Sequence, residues 1–404
     1  MSGNHRLAPS PELRRHWRVV RGLVIVLIAT MGVGSWWLYK AAATPSKTPA
    51  KSAAGMTSHS PAATPTSRAA STPAAAVSPS GALVLPAVSG PSWLAAGSDP
   101  SVLPGPVLIA DGDGNRVFII DSSGRTMWQF PGPGDLGAEQ SFKAPEVAWF
   151  SPDQKQVVVA SEDTNILYVI DIATDKIVYT YGKLDTPGSS PNLVNAPDGV
   201  MMLKSHDLLV PDAGNCRIIQ IPAGGQSPSR QLGQTGFCLH NPPSSFSDPS
   251  GLTPMADGNF LLTEGMDHWV SEMSSSGGIS WSVQVPGVSA IYSAVEAAPD
   301  RYATVDTTFP GQVLTFDHTG KVLWRYAPTG SQALNKPSMV IPLPNGDYMV
   351  SDKLNDRLIV LDPRTNTVVW QYGHTGVAGS TPGFLNNPTG ADLFPPNSIA
   401  AKTR

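Results

Sequence analysis

Six acidic residues stand at the ends of apolar strand-like runs: VLIAD to Asp111, VVVASE to Glu162, LLVPD to Asp212, FLLTE to Glu264, YATVD to Asp306 and YMVSD to Asp352. Their spacings are 51, 50, 52, 42 and 46 residues. Six carboxylates recurring at that period fit two chemistries. They can accept hydrogen bonds from backbone N–H groups of the turns that follow, as Asp commonly does. Gathered on one face, they can also form an acidic ring that collects a cation or a basic ligand. Proton transfer or group transfer needs other residue types, and the part beyond the linker offers five histidines, His206, His240, His268, His318 and His374, of which His206 and His318 are assigned to turns. Asp111, Asp113 and Asn115 supply oxygens at alternate positions like the start of a calcium loop. Arg116 replaces the loop glycine and Ser122 the bidentate glutamate, so a Gly/Asp turn accounts for the stretch and no metal site is expected. There is no G-x-S-x-G elbow, phosphate-binding glycine loop or zinc motif.

The elements that must hold these residues repeat with them. After each acidic residue comes a turn and a second apolar strand, RVFIID, ILYVID, RIIQI, WVSEM, QVLTFD and RLIVLD. In five of the six units a third strand follows with an aromatic four residues after a turn residue: Gly124/Trp128, Asp175/Tyr179, Gly277/Trp281, Gly320/Trp324 and Asn366/Trp370. An innermost strand completes each unit, at PEVAWF, PDGVMML, PSGLTPM, AIYSAVE, PSMVIPL and PTGADLF. The register is offset, so residues 388–394 are expected to pair with 107–111 and close the array into a ring. The expected fold is all-β, a six-bladed β-propeller over residues 101–398. An open solenoid would need capping repeats with a polar outer face, and these are not seen.

In such a disc the six carboxylates lie at one face, which also receives the long loops joining each outer strand to the next inner one. Long loops converging on a rigid scaffold are a usual place for binding. Phe237, Phe246, Phe384, His240, His374, Asn386 and Asn387 lie in them. The binding face is therefore drawn from Asp111, Glu162, Asp212, Glu264, Asp306, Asp352, Phe237, Phe384 and Asn386, against the plainer reading of loop-packing and turn residues.

The units IADGDGNRVFIIDSSGRTMWQF and VSDKLNDRLIVLDPRTNTVVWQYG resemble NHL-type propeller repeats. The lines DSSGRTMW, DHTGKVLW and DPRTNTVVW are similar to the tryptophan-docking lines of pyrroloquinoline-quinone-type repeats. The resemblance spans about residues 105–395 and implies a propeller. Quinone-dependent dehydrogenases of that kind carry a quinone and calcium pocket whose motifs do not occur here, so no cofactor is expected. A more distant resemblance to arylsulfotransferase-type propellers, which use histidines around the channel, is what singles out His240, His268 and His374.

Residues 22–39, GLVIVLIATMGVGSWWLY, are uncharged and long enough for a single transmembrane helix, with Trp36, Trp37 and Tyr39 at its end. Arg6, Arg14, Arg15, Arg18 and Arg21 precede it, which places segment 1–21 in the cytoplasm and the rest outside the cell membrane. A signal peptide cleaved near Ala41, Ala42 and Ala43 is the alternative. Residues 40–100 are rich in Ala, Pro, Ser and Thr and read as a disordered linker, either a solvated spacer or an O-glycosylated stalk. An oxidising compartment would permit a disulfide between the two cysteines, Cys216 and Cys238.

Charged residues make up only 14% of the 404, against about 25% in ordinary domains, and the net charge of -4 gives no basic field for nucleic acid. The expected function is that of an extracytoplasmic, membrane-anchored recognition module whose loop-rich face binds a protein, peptide or glycan. The alternative is an exported propeller enzyme, quinone-dependent or sulfotransferase-like, acting on a small molecule.

Overall fold

A computed structural model describes residues 76–77 and 83–394, with the exception of Met266. Segment 1–21, the apolar run 22–39 and most of the linker lie outside the described residues. Among the described residues no helix is long and apolar enough to cross a membrane.

The chain forms six four-stranded antiparallel sheets, the blades of a β-propeller. From the inside outward, blade I is Pro388–Leu393, Val107–Asp111, Arg116–Ile120 and Thr126–Phe130. Blade II is Val147–Phe150, Gln156–Ser161, Ile166–Asp171 and Lys176–Gly182. Blade III is Met201–Met202, Leu208–Asp212, Arg217–Ile221 and Arg230–Leu232. Blade IV runs Pro249–Pro254, Phe260–Glu264, Trp269–Met273 and Ile279–Gln284. Blade V runs Ala294–Ala298, Arg301–Asp306, Gln312–Phe316 and Val322–Tyr326. Blade VI runs Pro337–Pro342, Tyr348–Asp352, Arg357–Asp362 and Thr367–Gly373. Pro388 pairs with Asp111 and Leu393 with Val107, so the last described strand supplies the inside edge of the first blade.

The burial pattern follows from the packing of blade on blade. Second and third strands such as VLIAD and RVFII are buried at every position, because a neighbouring sheet covers each face. Outer strands alternate, as in KIVYTYG, because one side meets solvent. The apolar clusters accordingly lie between blades; one joins Ile119 and Phe130 of blade I to Val159 and Tyr168 of blade II, and another joins Phe118 and Ile120 to Leu358 and Trp370 of blade VI.

Four of the five outer-strand aromatics fasten their blade to the next, while Trp281 Nε1 donates to Glu272 of its own blade. Trp128 Nε1 donates to Asp175 Oδ1 at 2.7 Å, Trp324 Nε1 to Asn366 Oδ1 at 3.0 Å, and Trp370 Nε1 to the Ser122 carbonyl at 3.0 Å, each in the outer turn of the following blade. Tyr179 does the same through its hydroxyl to the Gly225 carbonyl. Blade III has no aromatic in its outer strand, Arg230–Leu232, which is why that strand escapes the sequence pattern.

Part of the stretch expected to be disordered linker is ordered. Ala76–Val77 pairs with Leu83–Val84. Further on, Trp93 donates its N–H to the Ser123 carbonyl, Ala95 to Gln371 and Asp99 to Val369, so this segment lies along the outer edge of blade VI. A backbone that finds sheet-edge acceptors is ordered whatever its composition.

Candidate functional site

The face that carries the second-strand ends is built in two layers. The outer layer is a set of fasteners. Asp352 is fully buried and accepts from Arg357 Nε at 2.8 Å, Asn355 Nδ2 at 2.8 Å and the Asn335 amide at 2.8 Å. Asp212 repeats this with Arg217, Asn215 and the Asn195 amide, and Asp111 with Arg116 and the Asn386 amide. Asp306 accepts from Gln312 and from the Ser289 and Ala290 amides, and Glu264 from His240 Nδ1, the Ser247 amide and the Ser247 hydroxyl. In each case the amide belongs to the loop that enters the inner strand of the same blade, so these five carboxylates clamp incoming loops. They accept from the incoming loop, whereas the sequence pattern pointed to the turn that follows. Burial pushes Asp111 up to about 6, while the Arg116 guanidinium and the Asn386 amide pull the other way.

A second fastener sits just before the third strand of blades I, II and VI, where the backbone takes a left-handed φ near +55°. Asn115 Oδ1 accepts from the Ala144 amide, Asn165 Oδ1 from Ala196 and Asp356 Oδ1 from Asn387, each holding the neighbouring loop. Asn and Asp tolerate that conformation because a short polar side chain bonds locally. In blade III the position is Cys216, and the tether is a disulfide to Cys238 with Cα atoms 5.2 Å apart.

Blade II breaks the first pattern. The residue paired in register with the start of strand three is Ser161, opposite Ile166, where the other blades place the acid. Ser161 bonds through its hydroxyl to the Lys143 and Ala144 carbonyls and to Thr164. Glu162, one residue later, is not a clamp; it lines a cavity of about 300 Å³ on the propeller axis.

That cavity is the inner layer. Its walls come from the inner strands of blades I, II, IV and VI and from the residues that enter those of blades III and V, including Val147, Trp149, Val200, Leu252 and Met339, and its mouth from the second-strand ends. Glu146, Glu162 and Asp198 bring negative charge into it. Lys353 Nζ lies 2.9 Å from Glu146 Oε1, and exposed Lys336 stands at the rim. Burial, reinforced by Glu146 and Asp163, pushes Glu162 up to about 7. Burial and the Glu162 charge hold Asp198 well above the usual carboxylate range, and burial also raises Glu146 against the pull of Lys353. Lys353 is itself raised, its desolvation outweighed by Glu146 and the other carboxylates. Tyr292, also in the wall, is pushed up to about 12, by burial first and then by the acidic neighbours. A concave, partly apolar site with a few convergent, perturbed acids has the features of a ligand seat.

Glu146, Asp198 and Lys353 were not among the residues singled out from sequence. A signal for two of them exists. Each follows the proline that opens an inner strand, in PEVAWF and PDGVMML, at the position filled by Ser250, Ser338 and Thr389 in blades IV, VI and I. Those hydroxyls are spent on backbone: Ser338 Oγ donates to the Thr389 carbonyl at 2.6 Å and Thr389 Oγ1 to the Pro145 carbonyl at 2.8 Å. The acids in blades II and III face the axis instead.

The histidines do not line this cavity. His240 is stacked flat on Trp269 with ring centroids 3.8 Å apart and is held by Glu264. His268 takes the left-handed position of blade IV, with a buried Nδ1 that has no hydrogen-bond partner among the described residues, and His374 packs on Phe384 at 4.2 Å. Of the loop residues, Phe246 is fully buried and Phe384 half-buried, while the Asn386 carbonyl accepts from Asp113 and Gly114. Phe237 stands 47% exposed, joined as open apolar side chains by Leu239, Leu354, Val377 and Phe309, the last 67% exposed, all from loops and turns of this face. The Asp111–Asn115 stretch is a strand turn with Asp111 committed to Arg116. Among the described residues no three His, Cys, Asp or Glu side chains converge as a metal site.

Residues 239–391 match a PQQ-type family model described as outer membrane protein assembly factor BamB; they span blades IV to VI and the strand that closes blade I. Within the six-bladed propeller, these repeats are similar to PQQ-type repeats. No curated protein matches the chain in sequence. Among solved structures, a protein of unknown function from Bacteroides caccae is 14% identical, with 71% of this chain and 98% of that chain covered and a TM-score of 0.49. A streptogramin B lyase is 15% identical over 70% and 83% of the two chains, with a TM-score of 0.47. Virginiamycin B lyase from Staphylococcus aureus is 17% identical over 66% and 83%, with a TM-score of 0.43.

Proposed function

We propose that the chain is an extracytoplasmic recognition module, anchored by residues 22–39 and carried on its Ala/Pro/Ser/Thr-rich linker, that binds a protein, peptide or glycan over the mouth of the axial cavity. The observation that carries this reading is that the acidic well opens on the same face whose loops and turns expose Phe237, Leu239, Phe309, Leu354 and Val377, with Leu354 at the cavity itself. Apolar groups around a charged centre are what a partner surface needs to exclude water from a polar anchor. The fasteners support it too, since they hold long loops in one shape before any ligand arrives, which reduces the ordering cost of binding. The Cys216–Cys238 disulfide agrees with an oxidising compartment. The enzyme reading draws no support from the histidines: His240 and His374 fasten or pack loops, and His268 does not line the cavity.

The test is site-specific photo-crosslinking on intact cells, with a photoreactive phenylalanine placed at Phe309 or Phe237 and, as a control, at exposed Leu323 on an outer strand. Adducts should form from the first two positions and not from the third. Equal yields at all three, or none, would dismiss this face as the binding surface. Protease accessibility of the propeller in the same cells checks its side of the membrane; protection from added protease would refute the extracytoplasmic placement.

A further inference from the structure

We infer that the axial cavity seats a primary alkylammonium group, with Glu162 and Asp198 as its counter-charges and the apolar inner strands around its alkyl stem. This rests on the reading of the cavity as the place where ligand binds.

Three observations lead there. Asp198 is only 7% exposed, lines the cavity and accepts no hydrogen bond from another of the described residues. A buried carboxylate without a donor is costly, and a ligand donor removes the cost. Secondly, the charge of the well is unbalanced. Lys353 is committed to Glu146 at 2.9 Å, which leaves Glu162 and Asp198 with no ion-pair partner of their own among the described residues. Thirdly, the shape and lining select among cations. The carboxylates do not converge as a metal site. The walls include Val147, Val200, Leu252 and Met339, and the volume, about 300 Å³, is at the small end of ligand sites. An unbranched chain of a few methylenes ending in a compact ammonium meets all three conditions. Lys353 already places such a group on Glu146, so the cavity wall contains its own example of the pairing.

Two sources can present this chemistry: a free diamine, or the lysine side chain of a peptide. Calorimetry on the full-length chain should use 1,5-diaminopentane, an N-acetylated Gly-Lys-Gly amide, and the same peptide with its lysine ε-nitrogen acetylated. Saturable binding of the diamine or the lysyl peptide is expected, lost on ε-acetylation, and weakened at least about tenfold by Glu162→Gln or Asp198→Asn, the loss typical of one charged hydrogen-bond partner. Glu162 lies at the part-exposed mouth, so its variant keeps the test valid if Asp198→Asn does not fold. A lysyl peptide binding at least about tenfold tighter than the diamine identifies a protein partner, and the reverse a free amine. The inference is overturned if neither amine binds, if the acetylated peptide binds equally, or if both substitutions leave affinity unchanged. If amine binding fails while crosslinks from Phe309 persist, the face stands as a binding surface and only the ammonium assignment falls. If the crosslinks fail as well, both fall.

Discussion

Blades VI and II place a carboxylate at nearly the same point of the same turn and use it in opposite ways. Asp352 closes the second strand of blade VI, and its oxygens are consumed by Arg357, Asn355 and the Asn335 amide. In blade II the equivalent place belongs to Ser161, and Glu162, displaced by one residue, faces the axis. Because successive residues of a strand point to opposite sides, a single step of register converts a loop clamp into a ligand-facing acid. Lys353, next to Asp352, reaches across to Glu146 of the other blade's entry loop, so the two uses meet at the cavity.

The contrast is broken most severely by Asp352→Ala. It strands the Arg357 guanidinium, 5% exposed, without its partner, and should cost about 3–5 kcal/mol. Urea unfolding measures this, and Ser161→Ala, which removes only neutral hydrogen bonds, should lose about 1 kcal/mol. Equal losses would show that the two sites are fastened alike. A sharper comparison comes from blade III, where the second tether is covalent. Replacing Cys216 and Cys238 together with Ser should remove about 3 kcal/mol, through the loop freed in the unfolded chain. Asp356→Ala, which removes the corresponding bond to the Asn387 amide, should cost about 1 kcal/mol in the same thermal unfolding series.

The last effect is expected at Glu162 and depends on pH. Burial and the Glu146, Asp163 and Asp248 charges raise it to about 7, with Lys353 opposing. The folded chain therefore holds this proton more tightly than the unfolded chain does. Its contribution is fully present below the ordinary value of 4.5 and is lost as pH rises to about 7. Glu162→Gln should leave stability unchanged at pH 4 and raise it at pH 8 by on the order of 1–2 kcal/mol, read as a higher Tm. A variant destabilised at pH 8 would return Glu162 to the clamp class.

The blades were legible because burial on both faces forces second and third strands into unbroken apolar runs, and VLIAD and YMVSD display this openly. The inner strand of blade III was overdrawn, since PDGVMML shrinks to Met201–Met202 once Gly199 and Asp198 bend toward the axis. The site was less legible than the fold. Glu146, Glu162, Asp198 and Lys353 come from three blades, and only closure of the disc brings them together. The step from Ser161 to Glu162 depends on hydrogen-bond register, which the alignment of acidic runs by eye passes over. The recurrent acids at Asp111, Asp212 and Asp352 were conspicuous because a repeated fold needs the same fastener repeatedly. The odd residues in the series marked the cavity.

One feature of the ring bears on biosynthesis. The Thr389 hydroxyl reaches the Ala110 carbonyl across 279 positions of sequence, inside a blade whose other three strands are made first. A nascent chain that stops at blade VI has five complete sheets and one with its inner edge bare, so ribosomes deliver no closed disc until the segment after Asn387 emerges. Slow, late ring closure of this kind favours the assistance of chaperones that cover unpaired edges. It also means that a nonsense mutation shortly before Pro388 removes six residues of sheet and leaves the whole domain ajar.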